Sequence, residues 1–341
     1  MFNVYVTDSS FDNFNAELEV LREIDCRLIP CQFESARELA QKAADADALL
    51  NTHLAGIDGG VMDAMPNLKV IVRYGVGYDT IDVEAATKRG IQVANVPDYC
   101  VDEVSDHVLA LTLCLIRKIA VSNNHIKNID YGIDFKNPIL PLRGAKAGIV
   151  GFGRIGRQIG EKLAVFGCVI RFYDPFVEAS AAFAAGTGGS PGERADGGFR
   201  AEKSDLDSLY ADSDIIILQA PATVENRHML DAGAFAKMKR KPYVINCARG
   251  ELIDEGALME ALEAGVISGA GLDVLESMPP VRGDNPLLAF ENVILTPHTA
   301  WFSGNSYSKL QKLAAMEVVR VLKGGVAKSL LNPSVICSAG S

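Results

Sequence analysis

The sequence predicts an α/β protein in which helices cover the faces of doubly wound parallel sheets. Three observations lead there. Short apolar, β-rich runs alternate with helical patterns along the whole chain, the rhythm of βαβ units. Six such runs in the second half are each bounded by turn signals, enough for a complete doubly wound domain. The length, 341 residues, favours two domains over one large one.

In chain order the first runs are VYVT, RLIPC, ALLN, KVIVRYG and IQVANVP, separated by helical stretches such as SARELAQKAADA and DVEAATKRG. The opening MFNVYVTDSS reads as a strand and lacks the basic, apolar, small-residue order of a secretion signal. One long helix is expected from about Asp102 to Ala120. Its apolar residues Val104, Val108, Leu109, Leu111, Leu113, Leu115, Ile116 and Ile119 cover most of its circumference. Such a helix is buried on several sides, so it either crosses between domains or builds a subunit interface. The second series follows as KAGIV, CVIRFYD, DIIILQA, YVINCA, GAGLDV and NVILTP. The Gly-rich, charged segment from Ala185 to Gly198 reads as a mobile surface loop between strands. From Ser303 the chain is helical through Leu322 and irregular beyond it.

Composition narrows the function classes. Apolar residues make up 48% and charged residues 22%, a globular balance with ample core. The net charge is −10 and no Lys/Arg-rich run occurs, which argues against nucleic acid and anionic membrane as partners. No apolar run approaches ~18 residues, so no membrane span is expected. Seven cysteines without C-x-x-C spacing fit reduced thiols in a cytoplasmic protein. The five histidines are scattered and form no metal constellation.

GFGRIG, residues 151 to 156, fits G-x-G-x-x-G, with KAGIV before it and a helical run after it. Gly151 allows a tight turn, Gly153 lets the backbone approach a pyrophosphate, and Gly156 lets helix pack on strand. Arg154 and Ile155 open the helix whose N-terminus faces the phosphates. Asp174 ends the next strand, 18 residues past Gly156, where a ribose-binding acid belongs. Its carboxylate would repel a 2′-phosphate, so NAD is expected rather than NADP.

Ligands of doubly wound sheets sit outside the carboxyl ends of the strands. Arg249 follows YVINCA, Asp273 closes GAGLD and His298 follows NVILTP. Arginine offers a planar fork for a carboxylate and a carbonyl oxygen, and histidine exchanges a proton near neutral pH. Together they suit reduction of a 2-oxo acid: hydride from NADH, proton from His298, with Arg249 holding the substrate.

The chain resembles the D-isomer-specific 2-hydroxyacid dehydrogenase family through RYGVGYDTID, NVPDYCVDEVSDHVLALTL, GFGRIG, NCARGELIDEGAL, GAGLDVLE and TPHTAW. TPHTAW, with RYG and NVPDYC, is similar to the branch that contains the C-terminal-binding proteins. The resemblance implies two Rossmann-like domains, with the NAD-binding domain (102–299) inserted into a flavodoxin-like substrate domain (1–101 and 300–341). It also implies a homodimer to which the long helix contributes. Backbone amides near Val76 and Gly77 would bind the substrate carboxylate, with Arg73 nearby. Arg249 would be the catalytic arginine, His298 the acid/base and Asp273 a partner on the nicotinamide side. Pro221, Cys247 and Ala248 would be further cofactor contacts, and Trp301 would pack on the substrate side chain.

One position departs from the pattern. The family places a glutamate five residues after Asp273, where it pairs with the histidine, and this chain has Met278 there. A thioether neither orients an imidazolium nor supports its charge. The favoured reading is a working 2-oxo acid reductase whose histidine is held less firmly and whose pH profile moves down. The alternatives are a hydride transfer that needs no proton relay, as in the family's formate dehydrogenases, and an NAD(H)-sensing module resembling the corepressor members. Met278 is also expected to line the pocket and to favour an apolar or sulfur-containing substrate side chain.

Overall fold

In the computed structural model, which describes residues 1–9, 11–128, 132, 139–178, 199–276 and 285–338, the five early runs form one parallel sheet. Its strands are β1 (Phe2–Val6), β2 (Cys26–Pro30), β3 (Ala48–Asn51), β4 (Val70–Arg73) and β5 (Gln92–Ala94), in the order β2-β1-β3-β4-β5. The strand order therefore reverses between β1 and β3, the usual place for a binding crevice. Between them run α1 (Asn15–Leu21), α2 (Ala36–Lys42), α3 (Gly59–Asp63) and α4 (Val83–Lys88). Three of these helices start where an oxygen-bearing side chain caps the first turn: Ser35 accepts from the Glu38 N–H, Asp58 from Val61 and Asp82 from Ala85. Leu49, Leu50, Ile71 and Val72 are all fully buried, as covering a parallel sheet on both faces requires.

The long helix differs from expectation. It is two helices, α5 (Val101–Ile116) and α6 (Ile119–Lys127), separated where Lys118 takes a left-handed φ of 52°. The Lys118 N–H reaches back to the Leu115 carbonyl at 3.0 Å and closes the first helix, as a left-handed residue past a helix end commonly does. Burial on α5 is a stripe through Val104, Val108, Leu111 and Leu115, whereas Ile119 on α6 is exposed.

The second series forms a seven-stranded parallel sheet. Its elements are β6 (Lys146–Val150), α7 (Arg154–Val165), β7 (Val169–Tyr173), β8 (Ala201–Lys203), α8 (Leu206–Asp212), β9 (Ile215–Leu218), α9 (Ala232–Ala236), β10 (Tyr243–Asn246), α10 (Glu255–Glu263), β11 (Gly269–Leu272) and β12 (Val293–Leu295). The strand order is β12-β11-β10-β9-β6-β7-β8. Six strands were expected; the seventh, β8, is three residues of an edge strand, AEK, with no apolar run to announce it. Asp205, Asp231 and Asp254 cap α8, α9 and α10. The Ala185 to Gly198 segment lies outside the described residues.

The chain closes with α11 (Gly304–Leu322), started by a Ser303–Ser306 capping box, and the short α12 (Ser334–Ser338). Two compact units result: Met1–Cys100 with Phe302–Ser341, and Val101–Trp301. In the first, α11 packs on α1 and β4. Among the described residues no helix is long and apolar enough to cross a membrane.

Candidate active site

The turn after β6 is shaped by what its glycines lack. Gly151 sits at φ +91°, and an added Cβ would lie 2.6 Å from the Gln219 carbonyl carbon. Only glycine fits there. A Cβ on Gly156 would lie 2.2 Å from the Gly151 carbonyl oxygen, because α7 packs directly on the turn. Gly153 differs: nothing lies within 4 Å of an added Cβ, so its α-carbon faces open space. It is the N-cap of α7 and no side chain caps that first turn. The result is a bare helix N-terminus with room for a phosphate.

Two polar groups border this turn. Asp174, just past β7, accepts the Phe152 N–H at 2.8 Å through Oδ2 and the Phe176 N–H at 2.9 Å through Oδ1. A carboxylate has about four lone-pair sites, so acceptor capacity remains for ribose hydroxyls. Gln219, at the end of β9, has a buried Oε1 with no partner among the described residues. A buried acceptor in that state calls for a donor from outside the protein. The cradle, the open space and the unpaired oxygen together fit a dinucleotide. Arg154 is exposed and Ile155 half-buried at the start of α7. Pro221 is exposed, its carbonyl accepting the Asn226 amide at 2.7 Å.

Farther along the same sheet, β10, β11 and β12 are neighbours, and Arg249, Asp273 and His298 stand past their carboxyl ends. Asn246 fixes the first: its Oδ1 takes the Ala248 N–H at 3.0 Å and its Nδ2 donates to the Arg249 carbonyl at 2.8 Å. The guanidinium of Arg249 donates to the Ala248 carbonyl at 2.8 Å. A Cβ on Gly250 would fall 2.0 Å from the Leu275 carbonyl carbon, so the Arg249 turn and the segment after β11 touch backbone to backbone. Cys247 and Ala248 are buried beside it. Burial pushes the Cys247 thiol well up, and the Asp273 carboxylate pushes it further.

Asp273 is fully buried and organises the turn that carries His298. Its Oδ1 accepts the Thr296 hydroxyl at 2.5 Å and the Thr299 N–H at 2.9 Å; its Oδ2 accepts the Ala300 N–H at 2.9 Å. The His298 N–H reaches the Asp273 carbonyl at 2.9 Å, and the residue is held at φ 55°. His107 of α5 joins from the side, with Nε2 3.0 Å from the Thr296 hydroxyl oxygen. Because that hydroxyl gives its only proton to Asp273, His107 is the donor of the pair. Trp301 is half-buried just beyond this turn. Met278 lies outside the described residues; Glu276, shortly before it, is tied to His228 at 2.9 Å and to Arg227.

In the other unit, the loop after β4 carries Val76 and Gly77. Arg73 donates its guanidinium to the Tyr74 carbonyl there. Among the described residues the N–H groups of Val76 and Gly77 have no protein acceptor. Consecutive unpaired N–H groups form a ready anion cradle.

A model of the D-isomer specific 2-hydroxyacid dehydrogenase NAD binding domain matches residues 109–300. The chain belongs to that family. A glyoxylate reductase of Thermofilum pendens is 36% identical to it over 305 residues, covering 89% of this chain and 86% of the relative. A D-3-phosphoglycerate dehydrogenase of Methanocaldococcus jannaschii is 35% identical and spans 97% of this chain, which in turn covers 60% of that longer protein. Among solved structures, an NADPH-dependent glyoxylate/hydroxypyruvate reductase from Sinorhizobium meliloti, in complex with NADP and malonate, is similar with a TM-score of 0.81 at 27% identity, covering 98% of this chain and 97% of that one. This dehydrogenase is an NAD-dependent oxidoreductase with a Rossmann-type nucleotide fold. Its structure adds residues that the strand pattern did not single out: Asn246, Gln219 and His107. Asn246 had a local signal, since asparagine in a turn bonds neighbouring backbone. Gln219 and His107 had none: the buried Gln219 oxygen has no partner among the described residues, and the Thr296 partner of His107 is 189 residues away in sequence.

Proposed function

We propose that this dehydrogenase reduces small 2-oxo acids to D-2-hydroxy acids with NADH. The carrying observation is that Arg249, Asp273 and His298 stand on three neighbouring strand ends of the sheet that also bears the glycine turn. The glycine turn, Arg154, Ile155, Asp174 and Gln219 hold the dinucleotide, with Pro221, Cys247 and Ala248 beside them. Asp174 disfavours a 2′-phosphate by charge repulsion, which supports NADH over NADPH. Bound there, NADH supplies the hydride that adds to the carbonyl carbon. Arg249 polarises the carbonyl and orients the acid. His298 gives the proton that the carbonyl oxygen gains, and Asp273 holds the turn that sets the imidazole's position. The amides of Val76 and Gly77 take the substrate carboxylate, with Arg73 near them and Trp301 and Met278 against the substrate side chain. Substrate binding is assigned to the unit with residues 1–101 and 300–341, and cofactor binding to 102–299.

The names of the relatives, glyoxylate reductases among them, support a small substrate. The family resemblance supports a homodimer. The described cysteines, which form no disulfide, are consistent with a cytoplasmic site of action. The test is NADH absorbance across 2-oxo acids, from glyoxylate and pyruvate to bulky and methylthio types, at acidic and neutral pH. Turnover stronger in acid is expected. NADH binding with no turnover on any of them would overturn the reading in favour of a sensor, and formate oxidation alone would move it to relay-free hydride transfer.

A further inference from the structure

Three strand ends of the seven-stranded sheet fall in one row. Val150 of β6 is in register with Tyr173 of β7 on one side and with Leu218 of β9 on the other. The residues that follow them, Asp174, Gly151 and Gln219, therefore stand side by side along the carboxyl edge, ~4.8 Å apart from strand to strand. Two hydrogen bonds fix the backbone of the row. The Gly151 N–H donates to the Tyr173 carbonyl at 2.8 Å, and the Gln219 N–H donates to the Val150 carbonyl at 2.7 Å. Asp174 and Gln219 are thus the two neighbours of the glycine turn, one on each side. Asp174 has partners, the Phe152 and Phe176 N–H groups. Gln219 has none. Its side chain is half-buried, its Oε1 is fully buried, and its carboxamide makes no hydrogen bond with any described residue. A carboxamide donates two hydrogen bonds and accepts two, so all of that capacity is unused. Turning the amide toward a ligand breaks no bond within the protein.

We propose that Gln219 binds the ribose on the nicotinamide side of the dinucleotide, with Oε1 accepting a hydroxyl of that sugar. This rests on the reading of the glycine turn as the pyrophosphate site. A dinucleotide is nearly symmetric about its pyrophosphate: a ribose follows on each side, then a base. With the phosphates at the turn and one ribose at Asp174, the other ribose falls one strand the opposite way, at Gln219. The nicotinamide ring then extends toward β10 and β11, the next strands in the sheet, past whose ends Arg249 and Asp273 stand. The ring's own carboxamide lies beyond the sugar, so the ribose hydroxyls are the donors that Gln219 meets first. The two acceptors in the row differ in charge, and the difference suits their places. A nicotinamide ring is positive when oxidised and neutral when reduced. A carboxylate beside it would favour the oxidised form by Coulomb attraction, whereas a neutral amide holds the sugar without favouring either. Gln219 therefore contributes equally to NAD+ and NADH binding.

The test is calorimetric binding of ADP, ADP-ribose, NADH and NAD+ to the parent and to Gln219→Leu. ADP ends at the pyrophosphate, ADP-ribose adds the second sugar, and the dinucleotides add the ring. Gln219→Leu should leave the ADP Kd as it is in the parent. It should raise the Kd of the other three by a common factor of about fivefold, the loss of one hydrogen bond. Without ligand, the melting midpoint should hold or rise, because the variant removes a buried acceptor that has no partner. Weaker ADP binding would place Gln219 at the phosphates or the adenosine and overturn the proposal. Weaker NADH binding with unchanged ADP-ribose binding would place it at the ring, and unchanged binding of all four would remove it from the site; either result overturns the proposal too. Unequal losses of NAD+ and NADH would do the same, since the ribose is common to both. If the Leu variant does not fold, Gln219→Asn, which draws the amide back by one methylene, is judged by the same four ligands. Failure of the underlying reading looks different: the parent itself would bind none of them.

Discussion

Two residues give single-site predictions. On the proposed reading Met278 replaces the family's glutamate, so Met278→Glu should supply a carboxylate able to pair with His298. Turnover at neutral pH should rise, by less than the roughly 10²–10⁴-fold that a general acid contributes in full. The alkaline limb of the pH profile for reduction should move up, because a neighbouring negative charge favours the imidazolium. A variant with the parent's kcat and pH profile would show that proton transfer does not depend on this position. Glu17 is fully buried in the first unit and accepts the Tyr74 hydroxyl at 2.7 Å and the Gln311 amide at 3.0 Å. Burial raises its pKa above 4.5, and these hydrogen bonds pull it partly back. The folded protein then holds this proton to higher pH than the unfolded chain does. The associated stability is full below the ordinary carboxyl range and is lost as the pH rises through the raised value. The melting midpoint should therefore decline as the pH rises above the ordinary carboxyl range, and Glu17→Gln should flatten that decline. Parallel curves for parent and variant would count against it.

At the scale of elements, the turn between β6 and α7 separates two kinds of glycine. Gly151→Ala would need a left-handed φ and meet the Gln219 backbone, so it should lower the melting midpoint even without cofactor. Gly153→Ala meets no protein atom, so the apo protein should melt as the parent does while NADH affinity drops sharply. Equal apo stabilities with equal NADH affinities would show that the phosphates lie elsewhere. These roles were legible in the sequence because spacing after a strand fixes them. So were the ends of β10, β11 and β12, since a short buried run announces where its polar successor will stand. The break at Lys118 was not, because a lysine gives no local sign of a left-handed φ. Strand β8 was not, because an exposed edge needs no apolar residues. The contacts that hold the loop after β4 stayed hidden for another reason: Asn95 donates its amide to the Val76 carbonyl and Asn51 accepts the Thr80 hydroxyl, partners 19 and 29 residues apart in sequence.

On the scale of the whole molecule, the nucleotide contacts proposed above all belong to Val101–Trp301. A ligand stabilises what it binds, by roughly 2.7 kcal/mol at 100 times its Kd. Hydrogen exchange with saturating NADH should therefore slow most at the carboxyl ends of β6, β7 and β9 and in the first turn of α7. The amides of β1 and β2 should respond least. Uniform slowing across both sheets would show instead that the molecule opens as one cooperative body.

The first unit is written in two pieces, and α11, from the second piece, packs against α1 and β4 of the first. On the ribosome this separates the two pieces in time. Once Cys100 is made, the whole of Val101–Trp301 must be synthesised before α11 exists, a delay of roughly 10–40 s at about 5–20 residues per second. For that interval the surface of α1 and β4 that α11 will cover stays open, while the inserted unit already has all its strands. The nascent chain therefore matures from the middle outward, and its earliest residues are among the last to become native.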